Sequence, residues 1–225
     1  MRLLRNLAPA LSAFLALFAS SQPASSAPPA EANSCLACHG AQGEGLAAAG
    51  YPRLAGLSAE YISEQLNAYI DGRRVNPIMR PMAMPLTATQ IQGIATFFSA
   101  LPAPSNVAAA LTDATQSALG QQLAERGEWS AGIPACFNCH APGGVGLPPA
   151  FPPIVGQPAM YIESQIQAWK NGTRQGDPKN LANALMHNVA FRMSDTQTKA
   201  VAAWLAAQPI PTPNTSPSTT VKTNP

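Results

Sequence analysis

Two copies of one pentapeptide contain all four cysteines of this chain: Cys35-Leu36-Ala37-Cys38-His39 and Cys136-Phe137-Asn138-Cys139-His140. Thiols two residues apart, followed at once by an imidazole, form the attachment signature of a c-type haem: both sulfurs add across the vinyl groups and the histidine gives a nitrogen to the iron. Other chemistries also use CxxC. A redox dithiol wants a βαβ surround, and neither motif has one. A shared zinc site would have to close a gap of about a hundred residues, far beyond ribbon spacing. Disulfides would leave the histidines unexplained, since two of the three in the chain stand directly after a CxxC. The pattern points to two covalently bound c-type haems, with Cys35, Cys38, Cys136 and Cys139 as thioether sulfurs and His39 and His140 as proximal iron ligands.

Each iron then needs a sixth ligand or stays open. Histidine–methionine coordination gives a closed, high-potential electron carrier, whereas an open iron binds oxygen species or substrates. Met79, Met82, Met84, Met186 and Met193 lie in corresponding stretches after the two motifs. Met79 stands eight residues before Thr87 and Met186 eight before Ser194. Thr87-Ala88-Thr89-Gln90 and Ser194-Asp195-Thr196-Gln197 both have the form of a capping box that starts a helix. Equal offsets from equivalent caps make Met79 and Met186 the natural ligand pair. Met82 and Met84 remain alternatives in the first copy. Met193, in the slot of Leu86, reads as core filling. His187, the third histidine, is expected to face solvent.

The elements that position these residues repeat. Tyr51-Pro52-Arg53-Leu54-Ala55-Gly56 corresponds to Phe151-Pro152-Pro153-Ile154-Val155-Gly156. Tyr61-Ile62, Gln65, Tyr69 and Gly72-Arg73-Arg74 correspond to Tyr161-Ile162, Gln165, Trp169 and Gly172-Thr173-Arg174. Two related domains follow in tandem, each small enough to need the haem as part of its interior. Apolar residues at helical spacing predict helices over 58–71 and from Pro158 to Gly172, and a further helix behind each capping box. Asp113 caps another helix that runs through Arg126 to Gly127, with Gly120 marking a close helix contact. No segment argues for a strand, so the fold class is all-α.

The ends and the charge set further bounds. Met1-Arg2-Leu3-Leu4-Arg5, an apolar stretch from Leu7 to Phe18 and small residues up to Ala27 read as a cleavable signal peptide at 1–27, too short to be a comfortable membrane span. Export implies a periplasmic protein with at most peripheral membrane association. The formal charge of +2 falls to zero without Arg2 and Arg5, so it gives no support to a nucleic-acid partner. Domains are expected at 31–104 and 111–209, joined by a proline- and alanine-rich linker at 105–110. Residues 210–225 form a Pro/Thr/Ser-rich tail expected to be disordered.

With these features together, the chain resembles the dihaem class I cytochromes c of bacterial respiratory chains, in particular the cytochrome c4 group. The paired CxxCH motifs, aromatic-Pro-x-x-x-Gly segments, Tyr-Ile-x-x-Gln helices and Met-bearing loops carry the resemblance across both domains. It implies a small helical fold around each haem, with the two haems close across a domain interface. It also implies that the carbonyls of Pro52 and Pro152 orient the ligand histidines through their other ring nitrogen. Arg74 and Arg174 either pair with haem propionates or are ordinary exposed helix-end arginines. The function implied is shuttling of single electrons from a quinol-oxidising, cytochrome bc1-type complex to a terminal oxidase or other acceptor. The alternatives are an electron-accepting subunit of a periplasmic dehydrogenase or oxidase complex, and a dihaem enzyme. For the enzyme, one spare histidine and no spare cysteine leave few residues.

Overall fold

The computed structural model describes residues 28–104, 113–176 and 181–211. The expected signal peptide, the 105–110 linker and the tail beyond residue 211 lie outside the described residues. Helices α1 (Asn33–His39), α2 (Ala59–Ile70), α3 (Met79–Ala83) and α4 (Ala88–Ala100) make the first copy. The second copy contains α5 (Ala114–Glu125), α6 (Cys136–Cys139), α7 (Ala159–Lys170), α8 (Leu181–Arg192) and α9 (Asp195–Ala206). Among the described residues only isolated bridges, and no strands, accompany the helices.

Local chemistry fixes where the helices begin. Ser58 Oγ accepts from the Tyr61 N–H at the head of α2, and the Asp113 carboxylate accepts from Thr115 and Gln116 at the head of α5. Both capping boxes close. Gln90 N–H donates to Thr87 Oγ1 while Thr87 N–H donates back to Gln90 Oε1, and Ser194 and Gln197 repeat the exchange. Each reciprocal pair satisfies amides that a helix start otherwise leaves orphaned. Pro158 caps α7 from outside.

Two apolar clusters form, one per copy. Ile62, Leu66 and Tyr69 of α2 meet Ile91, Ile94 and Phe98 of α4. Ile162, Ile166 and Trp169 of α7 meet Leu123 of α5 and Val201, Trp204 and Leu205 of α9. Among the described residues the α5–α9 crossing has no counterpart in the first copy. It is tight at Gly120, where a Cβ would collide with the Ala200 carbonyl and the Trp204 side chain.

The expectation that the methionines sit in loops is corrected here. Met79 and Met82 lie on α3, which tolerates Pro81 because the residue falls in the first turn, where its missing N–H has no partner to lose. Met186 lies on α8, a three-turn helix. Met193 is buried core, as its slot predicts.

The copies meet about a pseudo-two-fold axis. Arg74 and Arg174 pair as an antiparallel bridge. On either side the Val75 N–H donates to the Thr173 carbonyl at 2.7 Å and the Gln175 N–H to the Arg73 carbonyl at 2.6 Å. Both arginines are buried, at 5% and 8% exposure, which removes the reading of them as exposed helix-end side chains.

Candidate haem sites

In the second copy, Cys136, Cys139, His140 and Met186 line one cleft of about 290 Å³. Ile154, Ile162, Ile166, Val201 and Leu205 make its apolar walls, and Tyr61 and Gln65 of the first copy close one side. In the first copy, Cys35, Leu36, Leu54 and Met79 pack against the corresponding cluster. The two CxxC pairs therefore belong to separate interiors and do not converge on one metal. Of the rival methionines, Met82 is 42% and Met84 59% exposed, whereas Met79 is half-buried against the core.

The histidines are held alike. His39 Nδ1–H donates to the Pro52 carbonyl at 2.8 Å and His140 Nδ1–H to the Pro152 carbonyl at 2.7 Å. A carbonyl only accepts, so the proton sits on Nδ1 and the Nε2 lone pair is left for a metal. Burial holds both imidazoles below the ordinary histidine range, which keeps them neutral and able to ligate. The loop that makes this contact is closed by glycine. Gly45 N–H donates to the His39 carbonyl and Gly146 N–H to the His140 carbonyl. Both glycines have left-handed φ, of 85° and 83°, and a side chain on either would strike the backbone following Pro52 or Pro152.

The donor chemistry fits covalent haem. Burial pushes the Cys136 thiol up to about 12, so it rests as a neutral thiol and its site favours an uncharged sulfur. A thioether to haem has that character. The charges fit too. Arg53, Arg74 and Arg174 are all buried where the copies meet, and among the described residues none forms an ion pair with a carboxylate. Buried cations call for anions, and each haem brings two propionates.

Sequence reasoning missed the network that surrounds these arginines. Arg74 donates to Gln65 Oε1, Gln165 Oε1 and the Tyr161 hydroxyl at 2.9, 2.6 and 2.9 Å. Arg174 returns the pattern to Gln165 Oε1, Gln65 Oε1 and the Tyr61 hydroxyl at 3.0, 3.0 and 2.9 Å. Arg74 also lies over the Tyr69 ring and Arg174 over the Trp169 ring. The available signal was recurrence: Tyr, Gln and Arg keep their positions in both copies. His187 is exposed, as expected, yet its Nδ1–H donates to the Trp169 carbonyl at 2.7 Å and ties α8 to the end of α7.

The cytochrome c family model matches residues 30–102 and 117–208. Over 195 residues the chain is 53% identical to a thiosulfate dehydrogenase electron acceptor of Thiomonas intermedia (strain K12), covering 87% of this chain and 88% of the relative. Among solved structures it is similar to the as-isolated thiosulfate dehydrogenase (TsdBA) of Marichromatium purpuratum, with a TM-score of 0.71 and 41% identity. That match covers 78% of this chain and 36% of the longer one. It is also similar to reduced recombinant cytochrome c4 from Pseudomonas stutzeri, with a TM-score of 0.70 and 30% identity over 79% of this chain and 95% of the other. Recurring motifs, paired helical interiors and these matches agree: the chain belongs to the cytochrome c family and is an electron-transfer protein of two tandem domains, carrying two covalently bound c-type haems.

Proposed function

We propose that this protein is the electron acceptor of a thiosulfate dehydrogenase, taking single electrons into its two haems and passing them to a further redox protein. The observation that carries this reading is the 53% identity to such an acceptor, which runs through both domains. The likeness to a TsdBA chain, of which the matching part is 36%, supports an acceptor that works beside its donor. The domains run over 31–104 and 111–209, and residues 1–27 direct export to the periplasm before removal.

Each residue has a defined task in this reading. Cys35, Cys38, Cys136 and Cys139 anchor the haems. His39 and His140 ligate through Nε2, held in orientation by Pro52 and Pro152. Met79 and Met186, packed against the two cores, would supply a thioether sulfur to each bound haem, while Met82 is exposed. Bound haem supplies a reversible one-electron store; a closed thioether ligand favours the reduced iron and denies it to exogenous ligands. The apolar walls keep water from the iron and raise the cost of the extra positive charge on the oxidised centre.

A second reading, a shuttle from a bc1-type quinol-oxidising complex to a terminal oxidase, draws on the likeness to cytochrome c4. Stopped-flow absorbance separates the two. Oxidised holoprotein mixed with thiosulfate and catalytic amounts of a thiosulfate dehydrogenase should reduce at both haems, at a rate proportional to the enzyme. Reduction no faster than with thiosulfate alone, together with rapid reduction by a quinol-oxidising complex, would replace the first reading with the second.

A further inference from the structure

Helix α2 turns one face to its own core and another to the second domain. Along it and the turn before it, Leu57, Glu60, Tyr61, Glu64, Gln65 and Ala68 recur at helical spacing, and all of them line the cleft that contains Cys136, Cys139, His140 and Met186. The first domain therefore builds one wall of the second haem site. At the corresponding positions the repeat keeps the tyrosine, the glutamine and the alanine, as Tyr161, Gln165 and Ala168. It does not keep the acids: Glu60 and Glu64 correspond to the uncharged Met160 and Ser164.

The acids are only partly neutralised. Glu64 pairs with Arg73 at 2.6 Å, and the same guanidinium reaches Asp71 at 3.0 Å. Among the described residues Glu60 forms no ion pair. Glu60, Glu64 and Asp71 thus outweigh the one arginine beside them. In the second domain the four counterparts, Met160, Ser164, Asn171 and Thr173, are all uncharged. Arg74 and Arg174 do not offset the difference, because each returns the other's contacts across the interface.

We propose that Glu60 and Glu64 tune the second haem from across the interface, lowering its reduction potential. Ferric iron carries one more positive charge than ferrous iron, so a nearby carboxylate favours the oxidised state. The apolar walls of the cleft preserve that interaction, while solvent and salt around the exposed Glu60 keep it moderate. At the position of Glu60, α7 instead sets Met160 against Gly50, in the loop that follows His39. The acids bias a single electron toward the first domain. The inference rests on the haem content and is independent of the donor's identity, because its test uses no partner protein.

The test is a redox titration of the holoprotein and its variants at low ionic strength, with the haems distinguished by their haem-methyl NMR signals in the oxidised state. Glu60 is exposed, so its replacement leaves the fold in place. At fixed ambient potential, Glu60→Gln should raise the reduced-to-oxidised ratio of the second haem about threefold, ~28 mV for a one-electron couple, and move the first far less. Adding Glu64→Gln should raise it further. Glu60→Asp, which keeps the charge, should stay close to the unaltered protein, and so should Glu31→Gln, which removes a first-domain carboxylate that does not line the cleft. An unshifted second haem in Glu60→Gln, equal shifts in both haems, or the same shift in Glu60→Asp or Glu31→Gln would overturn the proposal.

Discussion

At each CxxCH motif the chain presents an imidazole nitrogen freed by a proline carbonyl and two thiols beside it, and in the reading proposed above a methionine packed against the same apolar core completes the set. The closed-centre reading makes a separable prediction for each methionine. Met79→Ala and Met186→Ala should each abolish one haem's share of the sulfur-to-iron charge-transfer absorption, convert that haem to high spin and lower its midpoint potential; Met82→Ala should change neither haem. Optical and EPR spectra of the three variants decide it, and loss of a low-spin haem in Met82→Ala would transfer the ligand role. The cysteines and their histidines stand out in the sequence because covalent attachment imposes a fixed spacing, whereas the methionines are inferred only from equal offsets before Thr87 and Ser194. Arg53 does not stand out, because nothing local separates an arginine after a proline from a solvent-facing one. Its burial depends on Gln157, more than a hundred residues away.

The elements carry the difference between the copies. Among the described residues, α5, the helix ahead of the CxxCH motif that crosses the final helix of the second domain, has no counterpart in the first, and the crossing depends on the missing side chain of Gly120. Gly120→Ala should therefore cost about 1–3 kcal/mol by overpacking, despite alanine's better helix propensity, seen as a lower denaturation midpoint of the holoprotein. The capping boxes should behave alike in the two domains: Thr87→Ala and Ser194→Ala should each cost about 1 kcal/mol in chemical denaturation. Caps and the Gly120 contact could be read from the sequence, since each rests on one residue type at one offset. Helix α8 could not. Leu185, Met186 and Val189 line the second-domain cleft, but exposed Phe191 and buried Ala190 interrupt that face, so the helical period is weak in the sequence. What fixes α8 is tertiary: Met186 and Val189 against the second core, and His187 bonded to the end of α7.

On the scale of the whole molecule, two small domains share one polar interface in which each glutamine oxygen serves both arginines. Tyr61→Phe and Tyr161→Phe should each remove one hydrogen bond to a buried guanidinium, at a cost of about 1.5–3 kcal/mol in denaturation of the holoprotein. Because the two tyrosines address different arginines within one network, the double variant should depart from additivity. A sum of independent effects would mean that the halves of the interface do not communicate. The sequence showed that Tyr, Gln and Arg recur, but recurrence alone does not say that the copies turn these residues toward each other. The account as a whole stands on two closed iron centres in tandem domains, and a spectroscopically monitored redox titration of the intact holoprotein tests that most directly. It should show two one-electron steps, both haems low-spin in each oxidation state, with sulfur-to-iron charge-transfer absorption in the oxidised form and no carbon monoxide binding when reduced at neutral pH. A high-spin haem, or a reduced haem that binds carbon monoxide, would contradict it.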